Sequence, residues 1–176
     1  MPDGREGIVV PQAALVVRDT REGDVPELME LFAGARAFMA ASGNTQQWSG
    51  GWPPEEVIRA DVAAGKSHVV TCGGRIVGTF FYDEGEDVEP TYAEIDGAWL
   101  DDGPYGVIHR IASTREVPGV GTACLEWAAA RNPHQRIDTH EDNAPLRGLA
   151  LKCGYVRTGI IRLESGDPRV AFERTA

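Results

Sequence analysis

The chain of 176 residues suits one domain, since a core of this size can stand alone and about 150 residues per domain is the usual guide. Its 42% hydrophobic and 25% charged residues are ordinary for a globular protein, and no apolar run approaches the roughly 20 residues of a membrane helix, which excludes a span. A net charge of −10 and a pI near 4.8 argue against nucleic acid or anionic lipid as partner; the same field favours a cationic partner such as a protonated amine, although acidic surfaces more often serve only solubility.

The opening stretch, 1–14, is acidic and carries Pro and Gly rather than a basic region before an apolar one, so it reads as a flexible arm and not a signal peptide; the domain is expected over 15–176. Residues 15–18 are a short strand. Apolar positions 25, 28, 29, 32, 35 and 39 have helix spacing, with Asp24 and Pro26 marking the start. A Gly- and Ser-bearing loop over 42–51 leads to Trp48 and Trp52, after which Pro53 and Pro54 open a helix that Gly65 stops. Strands at 68–72 and 75–82 flank Gly73-Gly74 as a hairpin. The acidic run 83–89 reads as a solvated connection, and 92–104 has no assignable pattern. Then come a strand at 106–112, a helix at 119–131, a strand at 136–139, a helix at 143–153 and closing strands at 155–163 and 169–173. The economical assembly is an α/β fold with a largely antiparallel mixed sheet, in which the helix at 119–131 joins one parallel strand pair.

Three cysteines, Cys72, Cys124 and Cys153, with no C-x-x-C pair, argue against a disulfide framework and a zinc ribbon, and suit a reducing cytoplasm. The histidines form no metal-binding pattern, so no metal is expected.

The informative segment is Ile111-Ala-Ser-Thr-Arg-Glu-Val-Pro-Gly-Val-Gly-Thr122: a buried strand, a turn with two glycines, then a helix. Such a turn aims main-chain N–H groups and the positive end of a helix at one spot, a ready place for a phosphate, and Gly119 and Gly121 leave room for it. Glycine for steric reasons alone is the plain alternative. A Walker loop would need Gly-Lys-Ser/Thr, and a dinucleotide fingerprint would need a third glycine where Cys124 stands.

The string Glu116-Val-Pro-Gly119-Val-Gly121 resembles motif A of the GNAT N-acetyltransferases, departing from it at Glu116. Downstream, 136–143 ending in Asn143, followed by a helix and Gly154-Tyr155, resembles motif B. Together they cover 106–161. The resemblance implies the GNAT acyl-CoA N-acyltransferase fold, acetyl-CoA as co-substrate, and a V-shaped opening between two parallel strands in which pantetheine lies like an added strand. Main-chain groups of Ile111 and Ser113 would bond the pantetheine, an N–H near Ala112 would face the thioester oxygen, and Val117, Gly119, Val120, Gly121, Thr122 and Asn143 would complete the carrier site. A homodimer is a reasonable expectation from the family.

An amine must be neutral to attack a thioester, so a base is expected. His109 lies on the strand beside the cleft and has the side chain with the most suitable ordinary pKa; a buried core histidine is the alternative. Glu94, Asp96 and Glu141 are further carboxylate candidates, each open to a structural reading. For the acid that protonates the leaving thiolate, the family's usual tyrosine position falls on Ala150, leaving Tyr105, Tyr155 or Cys153 as substitutes. Trp48 and Trp52 either shape the acceptor pocket or cap the core. Arg110 and Arg115 could offset phosphate charge or be ion-paired. The reading is an acetyl-CoA-dependent N-acetyltransferase acting on a primary amine of a small molecule or peptide. A non-catalytic acyl-CoA sensor and a nucleotide-binding α/β domain are the alternatives.

Overall fold

A computed structural model describes residues 13–176, so all but the end of the expected arm lies outside the described residues. Strand β1 (Leu15–Asp19) leads through a single tight turn into α1 (Val25–Ala41), whose start is held by the Arg18–Asp24 ion pair at 2.7 Å. Its buried stripe, Val25, Leu28, Leu31 and Phe32, follows the spacing seen in the sequence. After the tryptophan loop come α2 (Glu55–Ala63) and the hairpin of β2 (Ser67–Cys72) and β3 (Arg75–Gly85). A short turn at Pro90–Tyr92 and the two-residue β4 (Asp96–Gly97) precede β5 (Tyr105–Ser113), α3 (Val120–Ala129) and β6 (Gln135–Thr139). The chain closes with α4 (Ala144–Lys152), β7 (Val156–Arg162) and β8 (Pro168–Arg174).

All eight strands join one sheet in the order β1-β2-β3-β5-β6-β8-β7-β4, antiparallel except for β5 and β6. Each face is covered. Helices α1 and α2 pack on one face through Val69, Ile76 and Ala112, while α3 and α4 pack on the other around Phe80, Ile108, Ile137 and Tyr155. A third cluster, built on Tyr92, Tyr105 and Ile161, lies under the 86–104 segment.

That segment, unreadable in the sequence, is held by distant partners. The Trp99 indole N–H donates to the Tyr92 carbonyl at 2.9 Å, and the Arg136 guanidinium lies 4.2 Å from the Trp99 ring centre. Fully buried Glu173 accepts from the Leu100 amide, from Arg136 Nε at 3.2 Å and stands 2.6 Å from His134 Nε2. No local period could announce contacts of such sequence separation.

Candidate active site

The site begins where the sheet opens. Parallel pairing of β5 and β6 is confined to Gly106 with Gln135 and Val107 with Arg136. Beyond that point the facing edges of 108–113 and 137–139 have no strand between them, so their outward N–H and C=O groups are available to an extended ligand.

A bulge in β5 re-aims the chain at the same place. On β3, Phe81 pairs with His109 while Thr79 pairs with Ala112, so β5 holds one extra residue, and Arg110 takes a φ of 53°. His109 and Ile111, on either side of Arg110, both border the opening.

Two connected chambers fill it. The outer one, about 220 Å³, lies between Phe38 and Met39 of α1 and Leu146 and Leu149 of α4, with Ser113 and Gly121 at its edge. The inner one, about 250 Å³, is bordered by Trp48, Trp52, Glu89, His109, Asp138 and Arg169. Met39, Ile111, Asn143 and Leu146 belong to both, so they mark the junction.

At the mouth of the outer chamber, no side chain among the described residues caps the N-terminus of α3, which leaves its first-turn amides free to meet an anion. Gly119 takes a φ of 84°, a conformation that favours glycine. Gly121 also leaves room for α4: a Cβ there would lie 2.5 Å from Leu149 Cδ2. Val120 is turned into the core, and Val117 packs against it, so these two can offer a ligand only main chain. Thr122 follows on the first turn of α3. Arg115 lies over the Phe38 ring at 3.4 Å and borders the outer chamber, with no carboxylate partner among the described residues. Glu116 instead pairs with Arg75 at the surface, 3.2 Å away.

Several expectations need correction. The Arg110 guanidinium donates twice to Asp61 (3.0 and 2.7 Å), which ties it to α2 and away from any phosphate role. The Asn143 side chain caps α4 by accepting from the Leu146 amide (3.3 Å) and donates to Gln47 and Thr139 at 3.1 and 3.0 Å. It therefore helps to hold together the junction that Asn143 itself borders. Glu94 and Asp96 border a separate hollow with Ile160 and Arg162, outside both chambers, because β4 pairs with the far strand β7. Glu141 lies at the surface with Arg147 and Arg157, each 3.5 Å away. Tyr155, Cys153 and Ala150 belong to the core, and Tyr105 packs under the 86–104 segment, so none of them reaches the cleft.

His109 is in the inner chamber as expected, with partners that were not. Its Nε2 is 2.8 Å from Glu89 Oε2 and its Nδ1 is 3.8 Å from Asp138 Oδ1. The ring stacks on Phe81 with centres 5.7 Å apart. Burial alone would raise the Glu89 carboxyl, but the His109 ring and the Thr91 hydroxyl and amide outweigh it and bring the group down to about 2. Burial and the Asp138 carboxylate push the Tyr92 hydroxyl well above its ordinary range, so it stays protonated and donates to Asp138 at 2.6 Å. Trp48 does both things open to it: it packs edge-on to Phe32 (5.6 Å) and borders the chamber. Trp52, 42% exposed, is a wall of the chamber mouth.

Glu89, Asp138 and Arg169 were missed in the sequence. The one available signal was Glu89-Pro90-Thr91, a capping residue before Pro, inside a run that reads as solvated.

No family model and no curated protein matches the sequence. Solved structures do. A GNAT-family acetyltransferase from Streptococcus agalactiae is 28% identical, with a TM-score of 0.82 over 94% of this chain and 97% of that one. An acetyltransferase from Staphylococcus aureus, at 21% identity and a TM-score of 0.66, covers 91% and 98%. A Drosophila melanogaster polyamine N-acetyltransferase that forms N-acetylagmatine, at 14% identity and 0.61, covers 93% and 100%. The last two are alike in fold alone. With the parallel pair and the glycine turn where motifs A and B assign them, the chain has the GNAT fold and is similar along nearly its whole length to a GNAT-family acetyltransferase.

Proposed function

We propose that the protein is an N-acetyltransferase that takes the acetyl group from acetyl-CoA and passes it to a primary amine of a small molecule or peptide. The observation that carries this reading is the continuity of three features: the uncapped start of α3, the open edge of β5 and the chamber beyond the bulge. An extended thioester fits that path, with its diphosphate at 119–122 beside Arg115, its pantetheine against Ile111 and Ser113, and its acyl end at the junction. The main-chain N–H of Ile111, on the side of β5 away from β3, is the donor for the oxygen that gains charge on attack; that of Ala112 faces β3.

The amine enters from the inner chamber. Anionic Glu89 holds the Nε2–H of His109, which leaves Nδ1 as the lone pair that takes the amine proton, directly or through one water. As the C–N bond forms, the C–S bond breaks and the sulfur leaves as thiolate. No tyrosine or cysteine borders either chamber, so among the described residues no phenol or thiol supplies its proton; water does.

Release of free CoA thiol from acetyl-CoA, measured across an amine panel, tests the reading. Replacing His109 with Gln is expected to lower kcat about 100-fold or more, the usual worth of a positioned base, while acetyl-CoA affinity persists. A flat thiol signal from a protein that binds acetyl-CoA would leave only a carrier-binding role.

A further inference from the structure

Among the described residues two arginines are buried: Arg136 is paired with Glu173, and Arg169 has no carboxylate partner there. Arg169 is 9% exposed, borders the inner chamber, and makes one hydrogen bond, from Nη1 to the carbonyl of its neighbour Pro168 at 2.9 Å. Its Nε and Nη2 have no acceptor among the described residues, yet they are not among the side-chain atoms sealed away without a partner. A charge taken this far from bulk water is ordinarily paired.

A candidate partner stands close by and is not used. Asp138 pairs with Ala171 on β8, two residues from Arg169, so by strand alternation both side chains lie on one face as diagonal neighbours. Asp138 instead receives the Tyr92 hydroxyl at 2.6 Å and faces His109. Glu89, the other acid of the chamber, is occupied by His109 and Thr91. The chamber thus has an acid–histidine wall able to handle an amine and, apart from it, a guanidinium fork with two free N–H directions. That fork matches the two oxygens of a carboxylate.

We propose that Arg169 is a specificity residue that binds a carboxylate on the acceptor, so that the acetylated substrate is an amine that also carries a carboxylate: an amino acid or a short peptide rather than a simple polyamine. This rests on the acyltransferase reading of the same cleft and narrows its substrate class.

The test compares amino acids and dipeptides with their C-terminal amides, which keep the amine and lose the carboxylate, on the wild-type protein, Arg169→Met and Arg169→Lys. Thiol release gives kcat/KM, and thermal protection in the presence of CoA gives binding without turnover. A charge-assisted pair of this kind predicts a wild-type preference for acid over amide of about 10-fold to 100-fold, carried mainly by KM. The ratio should collapse toward one in Arg169→Met and recover in part in Arg169→Lys. Retained acetyl-CoA affinity reports that the variants are folded. Carboxylate-dependent protection that vanishes in Arg169→Met, with no thiol release from any amine, would uphold the anion site while refuting the transferase reading. Equal response to acid and amide in the wild type, no response to any carboxylate, or an unchanged ratio in Arg169→Met would overturn the proposal.

Discussion

Glu89 shows how one side chain's surroundings set both its charge and its use. Its carboxyl lies at about 2 against an ordinary 4.5, a depressed value, so the stabilisation it gives is fully present above the ordinary value. That contribution is lost as pH falls through the folded value. Glu89→Gln is expected to unfold at lower urea than the wild type at neutral pH, with the gap between them closing from about pH 5 toward pH 2. A gap that stays constant over this range would show that the Glu89–His109 contact does not hold the carboxylate. Cysteine chemistry gives a second check at this scale. Burial pushes the Cys124 thiol up to about 12 and raises that of Cys153, while Cys72 is half-buried beside the Ala13 carbonyl. An aromatic disulfide reagent should therefore titrate Cys72 well before the other two in the folded protein, and all three after unfolding; Cys124 reacting as fast as Cys72 would contradict the packing. His109 was legible as a residue because its strand and its chemistry are both local. Glu89, Asp138 and Arg169 were not, since they meet around one chamber only when the 86–104 segment and strands β6 and β8 come together.

Between elements, two contacts decide whether the cleft keeps its shape. Arg110, thrown out of the strand pattern by the bulge, anchors β5 to α2 through Asp61, whose carboxyl is raised by burial and pulled back by the guanidinium. Arg110→Ala leaves that carboxylate without its partner and is expected to cost about 2–3 kcal/mol in urea unfolding, with part of it recovered in the Arg110→Ala/Asp61→Asn double variant. Full additivity of the two changes would mean that the pair is not coupled. The second contact is Gly121 against Leu149. Gly121→Ala should displace Leu149 into the outer chamber and weaken acetyl-CoA binding about 10-fold, and Leu149→Ala should restore much of it by making room. If the second change brings no recovery, the glycine serves the phosphate more than the helix packing. Nearly every element was readable from periodicity and caps, because their signals are local. The exceptions were β4, two residues long and paired with a distant strand, and the bulge at Arg110, which has no composition of its own.

For the molecule as a whole, the parallel pair was legible as the economical arrangement, a helix joining two strands of one sheet. The extent of its opening was not, because it depends on how α1 and α4 wedge the strands from opposite faces. Among the described residues no helix is long and apolar enough to cross a membrane, and no three His, Cys, Asp or Glu side chains are arranged so as to hold a metal ion. Hydrogen–deuterium exchange of the intact protein with and without acetyl-CoA reads the path along the opening directly, since each amide that accepts a new partner or is covered slows its exchange. Slowing confined to 108–113 of β5 and to 119–122 at the start of α3 is the predicted result. Exchange unchanged in both segments while acetyl-CoA binds, or slowing centred on the 93–97 hollow instead, would contradict it.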